Sequence, residues 1–376
     1  MAEDARAPTL EQLRVVVLSD ALPSRNGVGT YYDDLVEHLR DHVGHVELVT
    51  PEPCEDTGQP AGWTLPMPGD PTQKLPVPSL TELWPSIARL DPHVVVSATP
   101  GLYGLLGLGM ATRLRVRLCF AYHSEYGKMI GMYYETWVGR VYQQVLKLLD
   151  LLMFKTSAVV VAHNAALVEA VRENGAEDVR LVGTPIPKSF LEPPVPLGDA
   201  IRSVAYVGRL APEKEVDTVL DAARALPHIT FRIAGDGPLR DRVESLARSR
   251  ENVEYLGWLE RDDVRRLLDH SDLLVLPSRL ETFGTAALEA MARQRMVLVS
   301  HQCGIVHWDE LAEGLFRIEA GESVTDALRR IEATPVAEWQ ARARRARAAA
   351  ESINRITIDH WLETIEQLAG TDPAAA

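Results

Sequence analysis

The stretch Leu273-Leu274-Val275-Leu276-Pro277-Ser278-Arg279-Leu280-Glu281-Thr282-Phe283-Gly284-Thr285-Ala286-Ala287-Leu288-Glu289-Ala290-Met291 reads in three parts. The apolar run Leu273 to Pro277 is a strand candidate. Ser278 to Gly284 is a loop that carries Glu281. The Ala-rich segment that follows is a helix, with Glu289 on it. Eight residues of helix rise roughly 12 Å, so the two carboxylates are not placed to act on one atom. They suit the opposite ends of a ligand as long as a sugar nucleotide, because carboxylates accept hydrogen bonds from vicinal hydroxyls. The N–H groups near Gly284 and Thr285 form a helix start suited to phosphate. The plainer reading makes Glu281 a partner of the helix dipole and Glu289 a solvated residue.

The same order of strand, loop and helix recurs along the chain, which predicts parallel βαβ units. Strand candidates are Arg14 to Ser19, Val46 to Thr50, Val94 to Ser97, Leu118 to Tyr122 and Val159 to Ala162. A second series comprises Val204 to Gly208, Phe231 to Ala234, Val253 to Leu256, Leu273 to Pro277 and Val297 to Ser300. Helical patterns lie between them, among them Thr30 to Arg40, Asp217 to Ala225, Leu239 to Arg248 and Asp262 to Asp269. Pro185 to Pro196 holds five prolines without periodicity and reads as a linker. The predicted fold class is α/β: two Rossmann-like, doubly wound parallel sheets with a cleft between them. The expected domains are 1–190 and 191–355. A C-terminal helix over 356–376 could pack back on the first. Open α/β sheets bind ligands at the carboxyl ends of their strands, so functional residues belong on the loops just after strands.

The 376 residues are 46% apolar and 24% charged, which is ordinary for a soluble protein of two domains. A net charge of −14 argues against non-specific nucleic-acid binding, which needs an excess of Lys and Arg. Cys54, Cys119 and Cys303 are few and scattered, so neither a disulfide framework nor a zinc pattern follows, and a reducing cytoplasm fits. Met1 to Arg14 is acidic and lacks the apolar core of a signal peptide. The most apolar run, Gly101 to Thr112, is too short to span a bilayer. The Arg-rich run Ala341 to Arg347 reads as a solvated helix face. His301, Cys303 and His307 lack a fourth ligand and are not read as a metal site.

Two further loops carry chemistry. After the first strand, Asn26-Gly27-Val28-Gly29-Thr30 opens a helix. Glycines let the backbone approach a phosphate, and a helix start offers free N–H groups. Tyr32 holds the third glycine position of a dinucleotide fingerprint, and a ligand-free Gly-rich turn is the competing reading. After Val204 to Gly208, the loop Gly208-Arg209-Leu210-Ala211-Pro212-Glu213-Lys214 sets two cations five residues apart. Arg209 can give a forked hydrogen bond and Lys214 a point charge, a combination suited to a diphosphate. A pair of surface cations is the alternative.

Taken together, these elements resemble glycosyltransferase family 4 of the GT-B fold over about Val15 to Ser300. The family's Glu-x7-Glu pattern is met by Glu281 and Glu289, its GRL-x-x-EK pattern by Gly208 to Lys214, and its Gly-Asp-Gly-Pro run by Gly235 to Pro238. The resemblance implies a retaining hexosyltransferase that uses a UDP- or GDP-sugar of glucose or mannose type and no metal. Arg209 and Lys214 would bind the donor diphosphate, and Glu289 the ribose. Glu281 would sit by the donor sugar, with the backbone of Phe283, Gly284 and Thr285 around sugar and phosphates. Gly27 and Gly29 would close over the diphosphate. Ala121-Tyr122-His123-Ser124-Glu125-Tyr126 resembles a family segment that puts His123 at the sugar's reacting end. A buried structural histidine is the alternative. The implied catalytic set is His123, Arg209, Lys214 and Glu281. The leaving phosphate would take the acceptor's proton, and domain closure would exclude water.

The acceptor would be a sugar, a glycan or a lipid-linked hydroxyl compound. Trp137 to Leu152 carries an apolar helical stripe, with Arg140, Gln143, Gln144 and Lys147 on the other side. Lys128, Met129, Ile130, Met132, Tyr133 and Tyr134 precede it. Packing on its own domain is the simplest account of that stripe. Peripheral contact with the inner face of the cell membrane through Lys128–Leu152 is the other. The chain departs from the family at Glu215, Arg293, Gln294 and Met296, at Gln302-Cys303-Gly304-Ile305, and at Gly183 to Pro187. A sugar-nucleotide hydrolase or epimerase of the same fold, or a silent nucleotide-sugar-binding subunit, is the competing function. The oligomeric state is not legible.

Overall fold

The computed structural model describes residues 8–22, 27–51, 63–66, 74–123 and 137–370. Asn26, Cys54, Ser124 to Tyr126, Lys128 to Tyr134 and the extreme ends lie outside the described residues. The chain divides into two compact units, Ile186–Arg355 and the remainder, which joins the residues up to Pro185 to those from Ile356.

In the first unit the strands are β1 (Arg14–Leu18), β2 (His45–Val49), β5 (Val94–Ser97), β6 (Arg117–Tyr122), β7 (Val159–Ala162) and β8 (Val179–Leu181). They form one parallel sheet in the order β2-β1-β5-β6-β7-β8. The valine runs of β5 and β7 are buried at every position, as strands covered on both faces must be. A separate antiparallel pair is β3 (Thr64–Pro66) with β4 (Lys74–Pro76). The first long helix runs Gly27–Leu39, three residues earlier than its pattern suggests. Gly27 and Gly29 therefore lie in its first turn rather than in a loop. Tyr31, Tyr32, Leu35 and Leu39 are buried on its inner face, and that packing outweighs the roughly 1 kcal/mol cost of each helical glycine.

In the second unit the strands are β9 (Ser203–Val207), β10 (Thr230–Ala234), β11 (Val253–Gly257), β12 (Leu273–Leu276), β13 (Met296–Val299) and β14 (Phe316–Arg317). Their order is β11-β10-β9-β12-β13-β14, all parallel. Counted along the unit this is 3-2-1-4-5-6, the doubly wound order, whose ligand crevice opens where the order reverses, between β9 and β12. The loops carrying Arg209 and Glu281 leave those two strands.

The Pro-rich linker is not structureless. It contains a helical turn, Lys188–Leu191, with Phe190 fully buried. Arg293, itself buried, makes a forked pair with Asp269 at 2.8 and 2.9 Å and donates to the carbonyls of Phe190, Glu192 and Pro193. Arg295 donates to Val195, and Arg347 to Leu191 and Glu192. The departure from the family at Arg293 thus fastens the linker to the second unit.

Val336–Gly370 is one helix of 35 residues. Trp339, Ala343, Ala346, Ala350 and Ile353 are buried in the second unit, and Trp361, Leu362, Ile365 and Leu368 in the first. The Arg-rich run within it is only half solvated: Arg344 and Arg345 are exposed. Arg342 lies over the ring of Phe316, and Arg347 bonds the linker. Among the described residues no helix is long and apolar enough to cross a membrane.

Candidate functional site

The loop after β9 is held by close backbone contact with the Gly235-Asp236-Gly237-Pro238 run after β10. Leu210 N–H donates to the Asp236 carbonyl at 2.9 Å. Gly235 has φ +136°, and a Cβ there would lie 1.9 Å from the Gly208 carbonyl oxygen, so only glycine fits. Arg209 and Lys214 project from this loop. Lys214 Nζ lies 2.6 Å from Glu281 Oε2 and 3.2 Å from the Leu280 carbonyl. Arg209 lies 4.0 Å from Glu213, and Arg279 N–H donates to the Glu213 carbonyl at 2.9 Å. The cation loop after β9 and the carboxylate loop after β12 are thus laced together across the reversal of strand order.

Glu215 closes the first of these loops in the left-handed region, at φ +54°. That explains why glycine is usual there. The side chain costs roughly 1 kcal/mol of backbone strain and is ion-paired with Arg279.

Beyond Glu281, Phe283 is buried edge-on against Trp308. Gly284, at φ +104°, precedes the helix Thr285–Ala292, and among the described residues no side chain caps that helix start. A Cβ on Gly284 would lie 2.7 Å from Cys303 Sγ. Glu289, one turn further along, is 3% exposed and bonds Arg261 Nη1 through Oε1 at 2.5 Å. Glu281 and Glu289 therefore have separate cationic partners, Lys214 and Arg261, as suits two binding groups rather than one acid/base pair. Arg261 went unread in the sequence. It stands in the charged run Glu260 to Asp263, and its partner is 28 residues away.

In the first unit, His123 follows β6 and is buried. Its Nε2 lies 2.9 Å from the Tyr32 hydroxyl, and its ring stacks on His163 at 4.2 Å, with Tyr31 edge-on at 4.9 Å. His163 Nδ1 faces the Val182 carbonyl at 2.9 Å, so the proton sits on Nδ1; Nε2 has no partner among the described residues. Burial, and secondly His163, holds His123 well below the usual histidine range, and burial pushes His163 down to about 4. The pair is neutral at physiological pH. Gly27 is exposed, and a Cβ on it would meet nothing within 4 Å, so packing does not require glycine there.

The helix Trp137–Thr156 turns Leu146, Asp150, Met153 and Phe154 inward. Trp137, Val141, Val145, Leu148 and Leu152 face solvent, from 42% to 72% exposed. Most of the apolar stripe read from the sequence is therefore the outer face. Arg140, Lys147 and Lys155 are exposed on the same helix.

Residues 25–190 match the family model described as Glycosyltransferase Family 4, and residues 196–351 the model described as Glycosyl transferases group 1. A sulfoquinovosyl transferase of Arabidopsis thaliana is 26% identical over 301 residues, covering 74% of this chain and 58% of the relative's length. A GDP-mannose-dependent phosphatidylinositol dimannoside mannosyltransferase of Mycobacterium tuberculosis is 32% identical over 137 residues, 35% of this chain and 36% of its own. Among solved structures, a sucrose-phosphate synthase from Thermosynechococcus elongatus superposes with a TM-score of 0.67 at 18% identity, over 95% of this chain and 98% of that one. The Anabaena HepE protein in complex with UDP and glucose superposes with a TM-score of 0.65 at 18% identity, over 94% and 99%. These neighbours are GT-B folds, as the family resemblance implies.

Proposed function

Because the chain belongs to the family-4-like glycosyltransferases of the GT-B fold, we propose that it transfers a hexose, with retention, from a UDP- or GDP-sugar to a hydroxyl acceptor and needs no metal. One observation carries this reading: the lacing of Arg209, Lys214, Glu281 and an uncapped helix start at the reversal of strand order in the second unit. Such a place offers cations and backbone N–H groups to a diphosphate and a carboxylate to a sugar.

In the proposed reaction the acceptor oxygen bonds to the anomeric carbon as the bond from that carbon to the diphosphate oxygen breaks. The acceptor proton passes to the leaving phosphate. Arg209 and Lys214 stabilise the charge growing there. Glu281 orients Lys214 and accepts from the sugar's hydroxyls, Glu289 takes the ribose, and Phe283, Gly284 and Thr285 supply backbone around the sugar and phosphates. The first unit's proposed contributions are neutral His123, as a hydrogen-bond partner for the transferred sugar, and the backbone of the helix start at Gly27 and Gly29.

For the acceptor we propose a lipid-linked hydroxyl compound at an anionic membrane surface. The outward apolar stripe of Trp137–Thr156, with Arg140, Lys147 and Lys155 exposed on the same helix of a chain of net charge −14, supports it. Flotation with anionic liposomes tests this part, and failure to bind them would point to a soluble acceptor.

The donor reading is tested by a thermal-shift screen with UDP-, GDP- and ADP-sugars, followed by turnover with and without acceptor. Arg209→Ala should keep its fold and lose about 100- to 1,000-fold in kcat. Near-normal transfer by that variant would overturn the assignment.

A further inference from the structure

We infer that Arg261 is the positioning residue for Glu289, and that it decides how strongly this chain prefers a ribonucleotide. The inference rests on the donor-site reading above. Arg261 is the first residue of the helix Arg261–Asp269, on the loop side of β11, at the carboxyl edge of the sheet. A cation there faces the positive end of the helix dipole and gains nothing from it. What it gains is Glu289, at 2.5 Å, with the two side chains 24% and 4% exposed.

Three features make this a positioning contact. Glu289 is a carboxylate taken almost wholly out of water, and unpaired it would carry a large desolvation cost. Its Oε1 is engaged by Arg261, so Oε2 becomes the oxygen that accepts from ribose hydroxyls. Arg261 is itself held, because its guanidinium carbon lies 5.1 Å from the centre of the fully buried Phe190 ring. The Phe190 carbonyl in turn accepts from Arg293 at 3.2 Å. The arginine thus stands between a rigid aromatic and the carboxylate.

The test is calorimetric titration of UDP and GDP, each against its 2′,3′-dideoxy form, into wild type, Arg261→Ala and Glu289→Ala. Wild type should prefer the ribose form by about tenfold. Arg261→Ala should lose most of that preference while its affinity for the dideoxy form stays within about twofold of wild type. Arg261→Gln keeps an N–H donor without the charge; it should show a reduced preference and carries the test if the alanine variant does not fold.

Retention of the wild-type ribose preference by Arg261→Ala or Arg261→Gln would overturn the inference. So would an equal loss for both forms, the mark of a merely structural role. If Glu289→Ala abolishes the preference while the Arg261 variants keep it, the donor reading stands and this inference alone fails. Wild type binding neither form would remove both.

Discussion

At the reversal of strand order in the first unit, between β1 and β5, the helix Leu102–Leu114 starts against the chain's own carboxyl. Asp20 accepts from Tyr103 N–H at 2.9 Å and from the Thr99 hydroxyl at 2.5 Å. At the reversal in the second unit, between β9 and β12, the helix Thr285–Ala292 starts at Gly284 without a side-chain cap. One helix start is met by a side chain of its own unit and the other, among the described residues, is not. The units differ in the same way elsewhere. The first keeps its histidine pair neutral by burial, and the second keeps its charges in pairs: Lys214 with Glu281, Arg261 with Glu289, Arg293 with Asp269. The donor proposed above would suit the second arrangement, because a pair can re-form around a third charge whereas a neutral nest has none to offer.

The strongest way to break this contrast is to strand a charge in the second unit. Asp269→Ala leaves Arg293 buried without its forked partner. It should cost about 3–5 kcal/mol, read as a lower midpoint in urea at unchanged slope. A cost below 1 kcal/mol would mean that the linker carbonyls alone satisfy Arg293.

Next in size is charging the first unit's nest. Burial depresses the folded pKa of His163 to about 4, so its contribution to stability is intact above the unfolded value of 6.5 and is lost as pH falls through that window. His163→Asn removes this dependence, so between pH 7 and pH 4 wild type should lose about 3 kcal/mol relative to the variant. Buried Asp150 works in the opposite sense. Burial raises its pKa to about 7, so it favours the fold most at low pH, and only the comparison with the variant isolates the histidine. Parallel pH profiles for the two proteins would show that His163 does not charge in this range.

Smallest is Asp20→Ala, which strips from the first crevice a carboxyl that burial holds above the usual carboxylate range. Loss of one such cap should cost about 1–2 kcal/mol. It sharpens the comparison in a second way: if the emptied helix start begins to bind inorganic phosphate, the Asp20 side chain was all that distinguished the two crevices.

Much of this was legible in the sequence. The buried strands announce themselves as runs of Val and Leu, and the loops after β9 and β12 as glycines and charges in fixed order. Of the four edge strands of the two large sheets, two were missed for a physical reason. Val179–Leu181 passes from buried to exposed within three residues, and Phe316–Arg317 is only two residues long, so neither has a period to read. Burial direction was harder still. Trp137–Thr156 is apolar on both sides, and its outward stripe looks in sequence like an inward one. Arg293, Arg347 and Arg261 carry no sign of their partners in the sequence, and only the fold brings them to a carboxylate or a row of carbonyls. Charged residues advertise solvation, and their exceptional use in the interior is long-range information.

The closing helix Val336–Gly370 has a consequence for the order in which the molecule comes into being. The first unit takes Trp361, fully buried and donating to the Tyr31 hydroxyl at 2.7 Å, from near the far end of the chain, and Arg180 bonds Thr364 in the same helix. A ribosome reading from the N-terminus therefore makes most of the first unit early but cannot complete it until Ile356 and the residues after it have left the exit tunnel. The second unit is contiguous and is complete before that moment. The portion synthesised first is the portion finished last, and its sheet, complete by Leu181, must wait without the cover of Trp361 and Ile365 while the whole of its neighbour is made.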